Sequence, residues 1–387
     1  MPGAGDHAIG HRPAAERSPH VWAEVVDGVI PLAVEKHGHE SAPDLADLAA
    51  PDGNLVNAGN GLEVGISHSG HTTGIRVGCR HRLGRPADAS GSASIAAMFG
   101  TPPRLLAVDI DGTLTTPRHD VSDRTVAAVA RAIEAGIQVV LATGRRYRDS
   151  LAIAERVGVT LPLITTGGAL IKDPRSHTTQ YRAAFDEGVL AGVLKLIDAA
   201  GHEAIVYTDS FAEGFDFHCR GLEVGSDGLR SYLANNQSLA RLSPRLHQQP
   251  PSDSFALFSM GPEDTMLALE AALTDAFGEA ISVHVIRSPR YQGSLCEVAP
   301  AGVNKWSGIQ QLAGGWGIAA DEIWAIGDDI NDLPMIRQAG LGVAMGNADP
   351  RIRDAADHIT AANDADGLAE LIEQMLDSSS RSLTDRR

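Results

Sequence analysis

"LLAVDIDGTLT", residues 105–115, decides the fold. Leu105, Leu106, Ala107 and Val108 form an uninterrupted apolar run, the composition of a strand buried on both faces. Asp109 and Asp111 then follow, with Gly112 and Thr113 behind them. Taking a carboxylate out of water is unfavourable unless a partner compensates it. A buried strand that ends in two acids therefore implies a cation, a reaction, or both at its tip.

The same pattern recurs along the chain. Strands are expected at 105–110, 137–143, 161–166, 323–327 and 341–345, alternating with helices at 122–135, 147–157, 304–313, 330–338 and 366–376. Ser122 reads as a helix cap and Gly136 as a stop. Alternation of this kind predicts an α/β fold, a doubly wound parallel sheet with helices on both faces. Residues 178–292 interrupt the rhythm. "EAIVYTD", "SFALFSM" and "ISVHVIR" read as strands, and 186–200 and 263–277 as helices, so an inserted α+β domain is expected there. The core is then 103–177 with 293–376, and the tail 377–387, "DSSSRSLTDRR", is expected to be disordered.

In open parallel sheets, ligands bind beyond the carboxyl ends of the strands. The expected strands end in Asp109 and Asp111; in Thr143, Gly144 and Arg145; in Thr165 and Thr166 before Gly167 and Gly168; and in Asp328, Asp329, Asn331 and Asp332. Folding gathers these tips. Several carboxylates at one edge repel one another unless a cation sits among them, and an oxygen-only donor set selects a hard ion, Mg2+. Such a cation lets a phosphate monoester approach. Two apart in a strand, Asp109 and Asp111 are expected on one face, one as nucleophile and the other as acid and base, by way of an aspartyl phosphate. Lys305, opening the helix "NKWSGI", supplies balancing positive charge.

The 387 residues carry a formal net charge of -17 and no concentration of Lys and Arg, which argues against nucleic acid as partner. A small phosphorylated molecule remains compatible. Three distant cysteines, Cys79, Cys219 and Cys296, suit a reducing compartment, and Cys219 and Cys296 are expected as inert packing thiols. No apolar stretch reaches the roughly 20 residues of a membrane helix, and "MPGAGDHAIGHR" lacks the plan of a signal peptide, so no membrane association and a cytoplasmic location are expected. Oligomeric state is left open.

Residues 1–97 differ from the rest. They hold eight of the 15 histidines, one lysine (Lys36) and no Phe or Tyr, and show no sustained period. His68, His71, Cys79 and His81 match no dependable zinc spacing. A low-order extension is expected, or a translated upstream stretch with the native start at Met98.

"DIDGTLT", "LATGR", "NKWSGI" and "GDDINDLPM" together resemble the four motifs of the haloacid dehalogenase-like hydrolase superfamily. The insertion between the second and third motifs resembles the Cof-type (class IIB) sugar-phosphatase branch, over 103–376. That resemblance implies Asp109 as nucleophile and Mg2+ ligand, and Asp111 as acid and base with its backbone carbonyl on the metal. It implies that Thr143 binds the transferring phosphoryl group, Lys305 steadies the charges, Asp328 completes the protein ligands, and Asn331 and Asp332 support metal and lysine. Gly167 stands where the family usually has Asn. Residues 178–292 become a cap, with Tyr207, Asp209, His218 and Arg220 as candidates for leaving-group recognition. Phosphatase, phosphomutase or phosphotransferase, and a non-catalytic Mg2+/phosphate-binding regulator all fit this scaffold. A Mg2+-dependent phosphatase is the leading expectation; the complete set Asp109, Asp111, Lys305 and Asp328 argues against the non-catalytic regulator, and phosphate release without an acceptor separates phosphatase from phosphomutase or phosphotransferase.

Overall fold

The computed structural model describes residues 102–384 apart from 187 and 289, and the backbone of short strands within 21–79. It divides into two units, Met1–Gly91 and Ser92–Arg387. In the first, Val21–Val25 pairs with Gly28–Leu32, and Val56–Ala58, Leu62–Ser69 and Thr72–Cys79 form a second antiparallel sheet. Regular strands thus occur where no period was legible, because Gly, Ser and His interrupt the apolar alternation while β-branched Thr72, Thr73, Ile75 and Val77 supply strand preference. The readings placed on the side chains of His68, His71, Cys79 and His81, and on Met98, lie outside the described residues.

The second unit begins with β1 (Leu105–Val108), which is wholly buried. α1 (Asp123–Glu134) follows, capped by the Ser122 side chain accepting from the Thr125 N–H and ended at Gly136 with φ 87°. β2 (Gln138–Leu141), α2 (Tyr147–Val157) and β3 (Leu163–Thr165) continue the alternation. β4 (Leu170–Lys172) and β5 (Thr179–Arg182) then form antiparallel strands on β3.

The inserted domain holds α3 (Val189–Ala199), β6 (Ile205–Thr208), β7 (Phe217–Cys219), α4 (Asp227–Asn235), β8 (Ala240–Leu242), β9 (Ser254–Gly261), α5 (Glu263–Phe277), β10 (Ile281–Arg287) and β11 (Ser294–Pro300). Its sheet runs β8-β7-β6-β9-β11-β10, with only the β7–β8 pair parallel. Because β11 pairs with β9 and β10, the return to the core comes after Pro300 and not at 293.

The chain re-enters the core with α6 (Lys305–Gly315), β12 (Ile323–Gly327), α7 (Leu333–Gln338), β13 (Leu341–Ala344), α8 (Pro350–Ala355), β14 (His358–Ile359) and α9 (Gly367–Thr384). The core sheet is parallel throughout, in the order β14-β13-β12-β1-β2, with one bridge from Ala142 to Ile164 bringing in β3. β1 shows why its run is continuous. Leu106 and Val108 pack on one face with residues of α1 and α9, while Leu105 and Ala107 pack on the other with Trp306, Ile309 and Leu312 of α6. Trp324 is buried in the first of these clusters, and Trp316 packs against the second. α9 continues to Thr384, so most of the tail expected to be disordered is helical. No Pro or Gly interrupts 368–384, and the helix register simply extends.

Cys219 and Cys296 are fully buried, and burial pushes their thiols up to about 11 and about 12, so they pack and do not react. Among the described residues no helix is long and apolar enough to cross a membrane.

Candidate active site

β1 ends at Val108, and the next residues form a tight turn. The Leu114 N–H donates to the Asp109 carbonyl (3.2 Å) and the Thr115 N–H to that of Ile110 (2.9 Å). Gly112 sits in this turn at φ 80°. Asp109 and Asp111 therefore do not share a strand face as expected, since the strand's period of two is lost beyond Val108. Asp109 turns inward and is buried, whereas Asp111 stays partly exposed and faces Arg145.

Gly112 is required twice over. Its backbone conformation disfavours a side chain, and a Cβ there would lie 2.1 Å from Asp328 Oδ2. Gly112→Ala is expected to displace Asp328 and weaken the apparent affinity of the acidic cluster for a hard divalent cation by roughly tenfold or more. Titrating activity with Mg2+ reads this directly.

Lys305, the first residue of α6, reaches into the centre. Its Nζ donates to Asp109 Oδ1 and to Asp332 Oδ1, both at 2.6 Å. The Asn304 cap fixes the start of that helix, with Asn304 Oδ1 accepting from the Ser307 N–H (3.1 Å). Asp332 Oδ2 accepts from the N–H groups of Asp328 (2.9 Å) and Asp329 (3.0 Å), so both its oxygens are engaged and it serves as a strut under the lysine. Thr113 Oγ1 donates to Asp328 Oδ1 at 2.9 Å. Carboxylate oxygens of Asp109, Asp328 and Asp332 lie within 4.8 Å of one another.

Charge decides what this cluster can hold. Three carboxylates meet one ammonium. Burial pushes the Asp109 carboxyl well above its ordinary range, against the pull of Lys305 and with the push of Asp332 and Asp328. Burial, and then the charge of Asp332, carry Asp328 up to about 7. Lys305 moves upward because Asp109 and Asp332 outweigh its desolvation. The site has negative charge to spare and only oxygen donors, which fits a hard divalent cation held by Asp109 and Asp328.

Arg145 donates to Asp111 through Nε and Nη2, each at 2.6 Å. Burial works to raise the Asp111 carboxyl, but this bidentate pair prevails and holds it below the usual carboxylate range. Thr143 is buried at the tip of β2, its Oγ1 accepting from the Arg145 N–H at 3.1 Å. Gly144 and Asn331 line the same cavity, about 530 Å³ in volume, which also reaches the inserted domain. Of the expected strand-tip residues, Asp109, Asp111, Thr143, Gly144, Arg145, Asp328, Asp329 and Asn331 line this cavity and Asp332 lies against Lys305, whereas Thr165, Thr166, Gly167 and Gly168 do not line it. Gly167 adopts φ 64° and a Cβ there would meet nothing within 4 Å, so packing does not impose its departure from the family's Asn.

The candidates in the inserted domain divide. Tyr207 lines the cavity. Asp209 is instead tied to Lys172 Nζ at 2.5 Å and to Thr179. His218 is held by Ser243 at 2.8 Å, and Arg220 by Glu203 and Asp198; neither lines the cavity. Polarity alone could not reveal which face of the cap sheet they occupy. Asn347 was missed. Its Nδ2 donates to the Gly112 carbonyl (2.9 Å) and lies 3.4 Å from Asp328 Oδ2. It sits just past β13, so the strand-tip rule applied to 341–345 would have found it.

Comparison with known proteins agrees with this geometry. Residues 106–372 match the family model for haloacid dehalogenase-like hydrolases, and the chain belongs to that family. It is 27% identical to the 5-amino-6-(5-phospho-D-ribitylamino)uracil phosphatase YitU of Bacillus subtilis, over 71% of this chain and 98% of that one. It is 31% identical to the HMP-PP phosphatase of Serratia proteamaculans, over 65% and 86%. A haloacid dehalogenase-like hydrolase from Bacteroides thetaiotaomicron superposes with a TM-score of 0.58 at 27% identity, covering 70% of this chain and 98% of that chain. The subclass IIB sugar phosphatase BT4131 shares the fold, with a TM-score of 0.56 at 20% identity, over 70% and 97%.

Proposed function

We propose that this protein is a Mg2+-dependent phosphatase of small phosphorylated metabolites, working through an aspartyl phosphate on Asp109. The observation that carries the reading is the buried Asp109–Lys305–Asp332 chain beside Asp328. It orients one carboxylate, keeps its charge partly balanced, and leaves surplus negative charge for a metal. Mg2+, held by Asp109, Asp328 and the Asp111 carbonyl, would neutralise phosphate oxygens.

The chain's own groups do the rest. Lys305 holds Asp109 Oδ1, which leaves Oδ2 free to attack phosphorus in line. Thr143 and the amides of Asp111, Gly112 and Thr113 bind phosphoryl oxygens in this reading. Arg145 keeps Asp111 ionised, the state of a base that takes a proton from the water attacking the aspartyl phosphate. An arriving phosphate dianion competes for Arg145, and release of that guanidinium lets Asp111 take up the proton it gives to the leaving oxygen. The inserted domain closes over the cavity and excludes water while Asp109 is attacking. The buried thiols suit work in a reducing cytoplasm.

The test is a screen of phosphorylated metabolites with and without Mg2+, read as phosphate released into water. Release that needs an acceptor hydroxyl, or no release at all, refutes the reading.

A pH effect follows from Asp328. Burial and the charge of Asp332 push its carboxyl up to about 7 from an ordinary 3.8. A raised carboxyl contributes stability that is complete below its unfolded value and lost as pH rises through the folded one. Mg2+ competes with that proton, so each unit of pH below 7 weakens binding by up to about tenfold. Mg2+ is therefore expected to raise Tm more at pH 8 than at pH 5.5, and Asp328→Asn should flatten the difference. Thermal scans at both pH values with EDTA or Mg2+ measure it.

A further inference from the structure

The geometry points to a second anion site in the cavity: Arg287, the last residue of β10, and Arg290, in the turn to β11, bind a phosphate or carboxylate carried by the leaving group. The inference rests on the phosphatase reading and deepens it to a substrate class, phosphate monoesters with a second acidic group.

The argument is one of charge pairing. Five Lys and Arg side chains line the cavity in a chain of net charge -17. Lys305 is held by Asp109 and Asp332, Arg145 by Asp111, and Arg146 by Asp149 at 2.7 Å. The cap's own carboxylate in the cavity, Glu297, has His284 Nε2 at 3.0 Å, and that imidazole is raised because Glu297 outweighs its burial. Arg287 and Arg290 are exposed and, among the described residues, neither has an ion pair or side-chain hydrogen bond. Two unpaired guanidinium groups three residues apart repel each other unless an anion joins them, and the planar fork suits phosphate or carboxylate.

The tip is built to hold them in place. The Ser288 N–H donates to the Gly293 carbonyl (3.0 Å), and Ser288 Oγ accepts from the Tyr291 N–H (3.0 Å). Tyr291 packs edge-on against Tyr232 with centroids 5.5 Å apart, and its hydroxyl accepts from Asn236 Nδ2 at 3.2 Å. Arg287 and Arg290 line the same cavity as Asp109, Asp111 and Lys305 of the core. The pair therefore faces the reacting phosphate from the cap side, where the leaving group must lie.

The experiment uses the full chain with saturating Mg2+ and two matched ligand pairs. Glycerol 3-phosphate against 3-phosphoglycerate reads a carboxylate; glucose 6-phosphate against glucose 1,6-bisphosphate reads a phosphate. Wild type is expected to favour the second member of at least one pair by about tenfold or more in kcat/KM, the worth of one charge-assisted contact. The Arg287→Ala/Arg290→Ala double variant should bring that ratio to about one. Calorimetric binding of the same ligands to Mg2+-loaded Asp109→Asn reads the ratio without turnover. Preference in binding without any hydrolysis by wild type overturns the phosphatase reading and leaves the anion site standing. No preference in either pair overturns the anion site. So does a double variant that slows both members by the same factor, because the arginines would then serve only the transferring phosphate.

Discussion

Asp109→Asn is expected to lower kcat by about 10⁴ or more while the fold survives. Phosphate monoesters hydrolyse so slowly unaided that nearly all of the rate must come from the site, and the proposed covalent route begins at this oxygen. The amide keeps the side chain's shape, and Lys305 retains Asp332 as its partner. Loss of activity can thus be separated from loss of structure by measuring Tm and kcat on the same preparation. Wild type quenched in acid during turnover should carry one added phosphoryl group by intact mass, and the variant none. A variant with near wild-type turnover, or a wild type never seen phosphorylated, would rule out the covalent mechanism.

The fold was legible where local chemistry repeats. β1, β2, β12 and β13 each present an apolar run that ends in acids, hydroxyls or glycine, and the rule that parallel strands carry ligands at their carboxyl ends assembled Asp109, Thr143 and Asp328 before any contact was known. α2 and α5 fell within their expected bounds because each runs up to a glycine stop, Gly158 and Gly278. What escaped depends on partners distant in sequence. β11 alternates small and apolar residues around Glu297, a pattern that suits either domain, and only its pairing with β9 and β10 assigns it to the cap. Arg220 looked like a ligand contact until Glu203 and Asp198 claimed it. The separation of Asp109 from Asp111 turns on one backbone feature, the positive φ of Gly112, which makes a turn where the apolar run had predicted more strand.

Lys305→Met is the more revealing substitution, because it separates holding the fold from doing chemistry. In wild type the ammonium is buried between Asp109 and Asp332. Removing one partner of such a buried group leaves uncompensated charge and destabilises by about 3–5 kcal/mol, and losing a fixed positive group at the phosphoryl site should lower kcat by roughly 10²–10³. The stability loss must depend on pH. Without the lysine the folded-state carboxyl of Asp109 rises further, so its protonated form contributes stability that fades as pH climbs through that higher value. The deficit against wild type is expected to be larger at pH 8 than at pH 5, as chemical denaturation at the two pH values would show. Adding Asp332→Asn to Lys305→Met removes one of the stranded charges while leaving an acceptor for the N–H groups of Asp328 and Asp329. Stability at pH 8 should then partly return and kcat should not. If both returned together, Lys305 would be a scaffold for the acids and nothing more; if neither did, the pairing with Asp332 would not be what makes its burial tolerable.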